Sequence, residues 1–184
     1  MPLVILYHSV YGHTARVAQA VAEGAGKSGA EIMLIRADEV DEAAWGALDA
    51  ASAIIFGSPT YMGGVTATFK GFIDSTSKRW IAQRWKDKIA AGFINAGSLS
   101  GDNVHALNQL LICAMQHSMI WVGAGIMPHQ FDDHHVNRLG GFTGLLTQSD
   151  NETPDVTPPA GDLATAKLFG ARVAQITARL QKQA

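Results

Sequence analysis

The sequence predicts an α/β protein built on a doubly wound parallel sheet of five strands, with helices on both faces. Three observations predict it. Short continuous apolar runs recur at residues 3–7, 31–35, 53–56, 89–94 and 119–122, each bounded by turn formers, which is how strands buried on both faces read. Segments with one apolar face at helical spacing fall between these runs. The first run also leads through a tight, glycine-containing loop straight into a helical pattern, as the opening unit of such a sheet does.

The elements follow in order. The first helix begins at Thr14, sets Val17, Val21 and Ala25 on one stripe, and closes near Gly26 or Gly29. After the second run, Asp41 caps a short turn that carries Trp45 and Leu48. Phe69, Phe72, Ile73 and Thr76 share one face of the helix after the third run. The next helix starts near Asp102, an N-cap residue type, with Leu107, Leu110, Leu111 and Ala114 toward the core. The last starts near Asp162 and carries Ala166, Phe169, Val173, Ile176 and Leu180. Residues 123–161, rich in Gly, Pro, Asp, Asn and His, read as a long loop outside the core, of the kind that is usually functional or mobile. Right-handed crossovers and five parallel strands suit the flavodoxin-like order 2-1-3-4-5, whose crevice lies at the carboxyl ends of strands one, three and four. Residues 1–184 read as a single domain of this kind.

Composition narrows the function. Lysine and arginine (14) nearly balance aspartate and glutamate (16), with seven histidines, so no net field favours nucleic acid or an anionic membrane. Cys113 is the only cysteine, which excludes an intrachain disulfide and suits a cytoplasmic protein. No run is long enough to span a bilayer, and Met1-Pro2 enters a strand without a leader pattern.

The loop Ser9, Val10, Tyr11, Gly12, His13 and Thr14 aims backbone N–H groups and the positive end of a helix dipole just beyond the first strand, an arrangement that suits a phosphate. It lacks the Walker lysine and the dinucleotide glycine spacing, which leaves a mononucleotide phosphate, or an ordinary turn with Thr14 as a cap. The loop resembles the FMN-phosphate loop of the WrbA-type flavodoxin-like NAD(P)H:quinone oxidoreductase family. Three further segments resemble that family: residues 54–63, residues 69–74, and Asn95, Ala96, Gly97 and Ser98.

The resemblance implies that Ser9 and Thr14 hold the FMN phosphate, and that Tyr11 stands where nicotinamide and substrate approach. It places Pro59, Thr60, Tyr61, Met62 and Gly63 around the flavin ring, with Asn95 to Ser98 as the third loop, whose amides would tune the ring. Trp80 corresponds to a tryptophan that lines the substrate site from a neighbouring subunit, and Gln116 stands where the family has a flavin-contacting histidine. Trp85 reads as packing, and His117 as a helix-end residue. The cluster His129, Asp132, Asp133, His134 and His135 has ligand-type side chains, but sequence-adjacent ligands rarely converge on one ion, so it reads as a solvated or substrate-edge loop and no metal is expected.

The function implied is an FMN enzyme in which hydride passes from NAD(P)H to the flavin and on to a quinone-like acceptor, in a homodimer or homotetramer. The alternatives are a flavodoxin-type one-electron carrier, against which the near-neutral charge balance argues, and a non-catalytic FMN-binding regulatory protein.

Overall fold

A computed structural model describes residues 2–182. In chain order it contains β1 (Pro2–Tyr7), α1 (His13–Gly26), β2 (Glu31–Arg36), α2 (Glu42–Ala50), β3 (Ala53–Tyr61), β4 (Gly64–Val65), α3 (Ala67–Ser75), α4 (Ser77–Ile81), β5 (Ile89–Ala96), α5 (Asn103–Gln116), β6 (Ile120–Trp121), β7 (Leu145–Gln148) and α6 (Ala160–Gln181). The sheet order is β2-β1-β3-β5-β6, with β7 also paired to β5 and β4 to β3. All pairings are parallel except β3 with β4.

Side-chain alternation along β1 divides the core in two. Leu3 and Ile5 enter the layer closed by α1 and α6, with Val21, Phe169 and Val173. Val4 and Leu6 enter the opposite layer, where Leu48 of α2, Phe69 and Phe72 of α3, and Leu107 and Leu110 of α5 cover the sheet. On the first face α1 and α6 come together without side chains between them at two points. A Cβ on Gly24 would lie 1.9 Å from the Lys167 carbonyl oxygen, and one on Gly170 would lie 2.0 Å from that of Val21.

Three expectations need correction. The turn after Asp41 is a full helix, α2, whose Asp41 cap accepts from the Ala44 amide at 2.8 Å. The helix expected near Asp162 starts earlier, at Ala160, and Asp162 is buried as a counterion. The fifth strand is not the single run 119–122. Ile120 and Trp121 pair only with Ile89 and Ala90, and the upper half of the position is filled by β7, where Leu145 opposes Phe93 and Thr147 opposes Asn95. Residues 122–144 make an excursion between the two half-strands. The four residues of β7, wedged behind Gly140, Gly141 and Gly144, are too few to read as a strand by periodicity.

The excursion is fastened from within. Arg138, its side chain 4% exposed, donates from Nε to Asp162 Oδ1 at 2.8 Å and from Nη2 to Gln148 Oε1 at 2.9 Å, and pairs with Asp133 at 3.1 Å. Asp162 Oδ2 in turn accepts from the Gln148 amide at 2.8 Å. Asn137 adds a second fastening, its amide donating to Thr165 Oγ1 at 2.7 Å.

Because Gly170 has no room for a side chain against the α1 backbone, Gly170→Val should lower unfolding stability by about 2 kcal/mol, an overpacking cost. Urea denaturation of the holoprotein, read by circular dichroism, checks it. An unchanged midpoint would mean that the helices can separate freely.

Candidate functional site

The carboxyl ends of β1, β3, β5 and β7 open into a crevice of about 670 Å³ lined by Ser9, Val10, Tyr11, His13, Thr14, Pro59, Thr60, Tyr61, Asn95, Gly97 and residues 149–154. Parallel strands bring these segments together although they are far apart in the chain.

The first loop gathers hydrogen-bond donors at one point. Gly12 takes φ 93, a left-handed conformation, and the first bond of α1 runs from the Arg16 amide to the Gly12 carbonyl at 2.9 Å. The amides of His13, Thr14 and Ala15 precede that bond and have no acceptor in the helix. No side chain caps α1, and no carboxylate stands in its first turn. Thr14, 2% exposed, therefore keeps its hydroxyl uncommitted, contrary to the capping alternative. Ser9 Oγ accepts from the Gly12 amide at 3.2 Å, which tightens the loop and leaves the hydroxyl proton to be donated. Free amides, two hydroxyls and the helix dipole at one point form a donor set that fits a phosphate monoester.

The second loop differs from expectation. β3 continues to Tyr61 and turns back into β4 through Met62 (φ 50) and Gly63 (φ 77), a two-residue hairpin. Its Pro59, Thr60 and Tyr61 line the crevice, while Met62 is fully exposed at the tip and Gly63 faces Asp102. Tyr61 and Tyr11 stand at the mouth, 43% and 70% exposed, and burial together with the nearby Tyr11 pushes the Tyr61 phenol up.

In the third loop only Asn95 and Gly97 reach the crevice; Ala96 turns into the core and Ser98 lies outside the lining. The Asn95 side-chain oxygen accepts from Thr147 Oγ1 at 2.8 Å and Ser149 Oγ at 3.1 Å, both on the strand that periodicity missed.

Residues 149–154, part of the long loop that the sequence reads as functional or mobile, form a wall, although the sequence singles out none of them as a site residue. It is held across the first loop: His13 Nε2 lies 2.9 Å from the Glu152 carbonyl oxygen, the Arg16 guanidinium donates to the Pro154 carbonyl, and the Pro154 ring sits against Gly12. Only the turn-forming run Ser149-Asp150-Asn151-Glu152-Thr153-Pro154 marked it in the sequence, and composition of that kind does not say which loop it covers.

Two expected site residues lie elsewhere in the chain. α5 runs antiparallel to β5, so Gln116 at its end sits at the amino end of the sheet, opposite the crevice, and makes no contact there within one chain. Its neighbour His117 is 2% exposed, stacks on Trp85 at 4.5 Å between ring centroids and bonds Thr76 Oγ1 at 2.9 Å. Since Thr76 gives its proton to the Ile73 carbonyl at 2.7 Å, His117 must donate from Nε2, and burial holds it neutral. Trp80, on α4, is 45% exposed and also outside the crevice of its own chain.

The histidine-rich loop spends its carboxylates locally. Asp132 Oδ1 holds His135 Nδ1 at 2.6 Å and the His134 amide at 3.0 Å, and Asp133 pairs with Arg138. Among the described residues no three His, Cys, Asp or Glu side chains gather as a metal site, and no helix is long and apolar enough to cross a membrane.

Charge is distributed unevenly. Asp38, Glu39, Asp102, Asp132, Asp133, Asp150, Glu152 and Asp155 outnumber Arg16, Arg36 and Arg138 at the crevice end, while Lys27, Lys78, Arg79, Arg84, Lys86, Lys88 and Lys182 outnumber Glu31, Asp49 and Asp87 at the opposite end. The near-zero total therefore hides a dipole, which removes the argument from net charge against a docking protein.

Comparison with known proteins agrees with this geometry. Residues 1–133 match the family model described as NADPH-dependent FMN reductase. The chain is 45% identical over 180 residues to flavodoxin FldP of Pseudomonas aeruginosa, covering 96% of this chain and 97% of that one. It is 29% identical over 200 residues to an NAD(P)H dehydrogenase (quinone) of Archaeoglobus fulgidus, covering 97% and 98%. Among solved structures, a flavodoxin, WrbA-like protein from Agrobacterium tumefaciens superposes with a TM-score of 0.77 at 42% identity, covering 97% of this chain and 98% of that one.

A carboxylate placed at Thr14 would face the site's anion. Thr14→Glu should weaken FMN binding by roughly 100-fold, since juxtaposed like charges cost several kcal/mol. Flavin fluorescence titration measures it, and an unchanged affinity in the folded variant would remove the first loop from the site.

Proposed function

The chain belongs to the NADPH-dependent FMN reductase family and is an FMN flavoprotein, and on that premise we propose that it carries hydride from NADH or NADPH, through FMN in this crevice, to a quinone-like acceptor in two-electron steps. FMN supplies the redox chemistry: a ring that takes up a hydride and then gives up two electrons. The chain's residues bind and orient. Ser9, Thr14 and the free amides of α1 hold the phosphate, and the wall 149–154 closes that side. Pro59, Thr60, Tyr61, Asn95 and Gly97 flank the ring, with Asn95 locked by Thr147 and Ser149.

The single observation that supports turnover most directly is the open mouth between Tyr11 and Tyr61. Two exposed phenol rings there offer a flat aromatic approach to one face, so that nicotinamide and then acceptor can stack in turn. Catalysis would rest on proximity and orientation, with the flavin supplying the redox chemistry. The same reading assigns Trp80, exposed at the far end of its own chain, to the mouth of a neighbouring subunit's crevice in a homodimer or homotetramer.

One observation favours a second reading. Acidic groups around the mouth and basic groups at the other end suit transient docking of a basic redox protein, and the 45% identical relative is named a flavodoxin. In that case the protein would pass electrons singly to a partner.

Anaerobic titration of the holoprotein separates the two. Hydride chemistry requires that NADH or NADPH alone bleach the flavin and that a quinone restore its colour; failure of both nucleotides to bleach it selects the carrier. Tyr11→Ala should keep FMN bound while lowering kcat/KM for quinone by about tenfold through lost stacking. Loss of flavin from this variant would place Tyr11 in cofactor binding instead.

A further inference from the structure

We propose that His8 is a positioning residue of the crevice: as a neutral imidazole it ties the first loop to the β3–β4 hairpin through the Thr66 hydroxyl, and protonating it loosens FMN. The inference rests on FMN occupying this crevice.

His8 follows β1 and immediately precedes Ser9, yet it is only 7% exposed and lines no part of the crevice. Its amide donates to the Gly57 carbonyl at 3.0 Å, which fixes the backbone where β1 ends. Its Nδ1 lies 2.9 Å from Thr66 Oγ1. Thr66 follows the last residue of β4 and caps α3, with Oγ1 accepting from the Phe69 amide at 3.1 Å. The Thr66 amide donates to Ser58 Oγ at 3.2 Å, and Ser58 donates to the Pro59 carbonyl at 2.9 Å. One imidazole thus connects the loop that carries Ser9 and Thr14 with the root of the hairpin that carries Pro59, Thr60 and Tyr61.

The hydroxyl's position settles which nitrogen bears the proton. Thr66 Oγ1 accepts from the Phe69 amide, and among the described residues its own proton meets no acceptor other than His8 Nδ1, so the hydroxyl donates and Nδ1 accepts. His8 is then neutral, with its proton on Nε2. Protonation would place an N–H against the hydroxyl proton, force Thr66 to turn that proton away from its acceptor, and leave a cation on a residue only 7% exposed. The charged groups facing His8 come from the end of β2: Asp38 favours the cation and Arg36 opposes it, and the two pair with each other at 2.6 Å. Burial, with Arg36 acting in the same direction, outweighs Asp38 and pushes the imidazole below the ordinary histidine range. The sign follows. A histidine whose protonation is suppressed in the formed crevice contributes fully above its ordinary value, and that contribution is lost as pH falls through the lowered one.

The experiment measures the FMN dissociation constant of the holoprotein and two variants between about pH 5 and pH 8. The FMN phosphate has its own titration near pH 6, which all three proteins share, so the reading is the difference between them. His8→Leu removes the tie and should bind FMN about tenfold more weakly at neutral pH, with only the shared acid limb. His8→Gln keeps an acceptor that cannot titrate; it should stay within about threefold of the natural chain at neutral pH and lose the extra acid limb. Nitrogen NMR of the imidazole, which needs no variant to fold, should show His8 Nδ1 unprotonated at neutral pH. Coincident pH profiles in all three proteins, or a proton on Nδ1, would overturn the proposal. Failure of the crevice reading itself would appear separately, as an FMN affinity indifferent to Thr14→Glu.

Discussion

The pairing of Leu145–Gln148 with Phe93–Ala96 is the constraint on which the rest of the crevice depends. Without β7 the upper half of β5 would present unpaired amides and carbonyls, and Asn95 would have neither Thr147 nor Ser149 to hold its side chain. The same four residues set the starting point of the wall 149–154, which His13 and Arg16 then draw over the first loop. The pairing is kept in register by charge rather than by length. Arg138 and Asp162 bury one ion pair beneath the excursion, and Asp162 also takes the Gln148 amide, so the excursion, the strand end and α6 are closed by one carboxylate. Burial raises Asp162 against the pull of Arg138, as expected where desolvation competes with a close counterion.

Two buried histidines with the same partner type do opposite things. His117 must donate to Thr76, because that threonine has already given its proton to a carbonyl; His8 accepts from Thr66, because among the described residues that threonine's proton has no other acceptor. The first locks α5 to the end of α3, far from the crevice. The second locks two crevice loops together. Residue type and burial are nearly equal in the two cases, so the difference lies wholly in what each hydroxyl has left to offer.

The resemblance to a quinone reductase family and the 45% identity to a protein named flavodoxin come together in one molecule whose charges are polarised along the strand direction. An open aromatic mouth would suit small planar substrates, and an acidic rim would suit a protein. Both features lie at the same end of the sheet, since parallel strands place every functional loop there.

Much of this was legible in the sequence. Continuous apolar runs marked β1, β3 and β5, because a strand buried on both faces has no polar alternation to obscure it; β2 gave the same signal although it is an edge strand with Met33 and Leu34 exposed. The Ser9 to Thr14 loop announced a cluster of free donors through local composition, since a helix start needs no distant partner to present its amides. Asp41 announced a helix that proved longer than the turn expected of it. What the sequence could not determine depends on distant pairings. The half-strand at Leu145–Gln148 is recognisable only by its partner, β5. The wall 149–154 became part of the site only because His13, Arg16 and Gly12, more than a hundred residues earlier, receive it. Gln116 left the site because α5 reverses direction, which no local motif records. Net charge could be summed from the sequence, but its polarity could not: a sum carries no coordinates, and folding alone decides which end of the sheet each charge reaches.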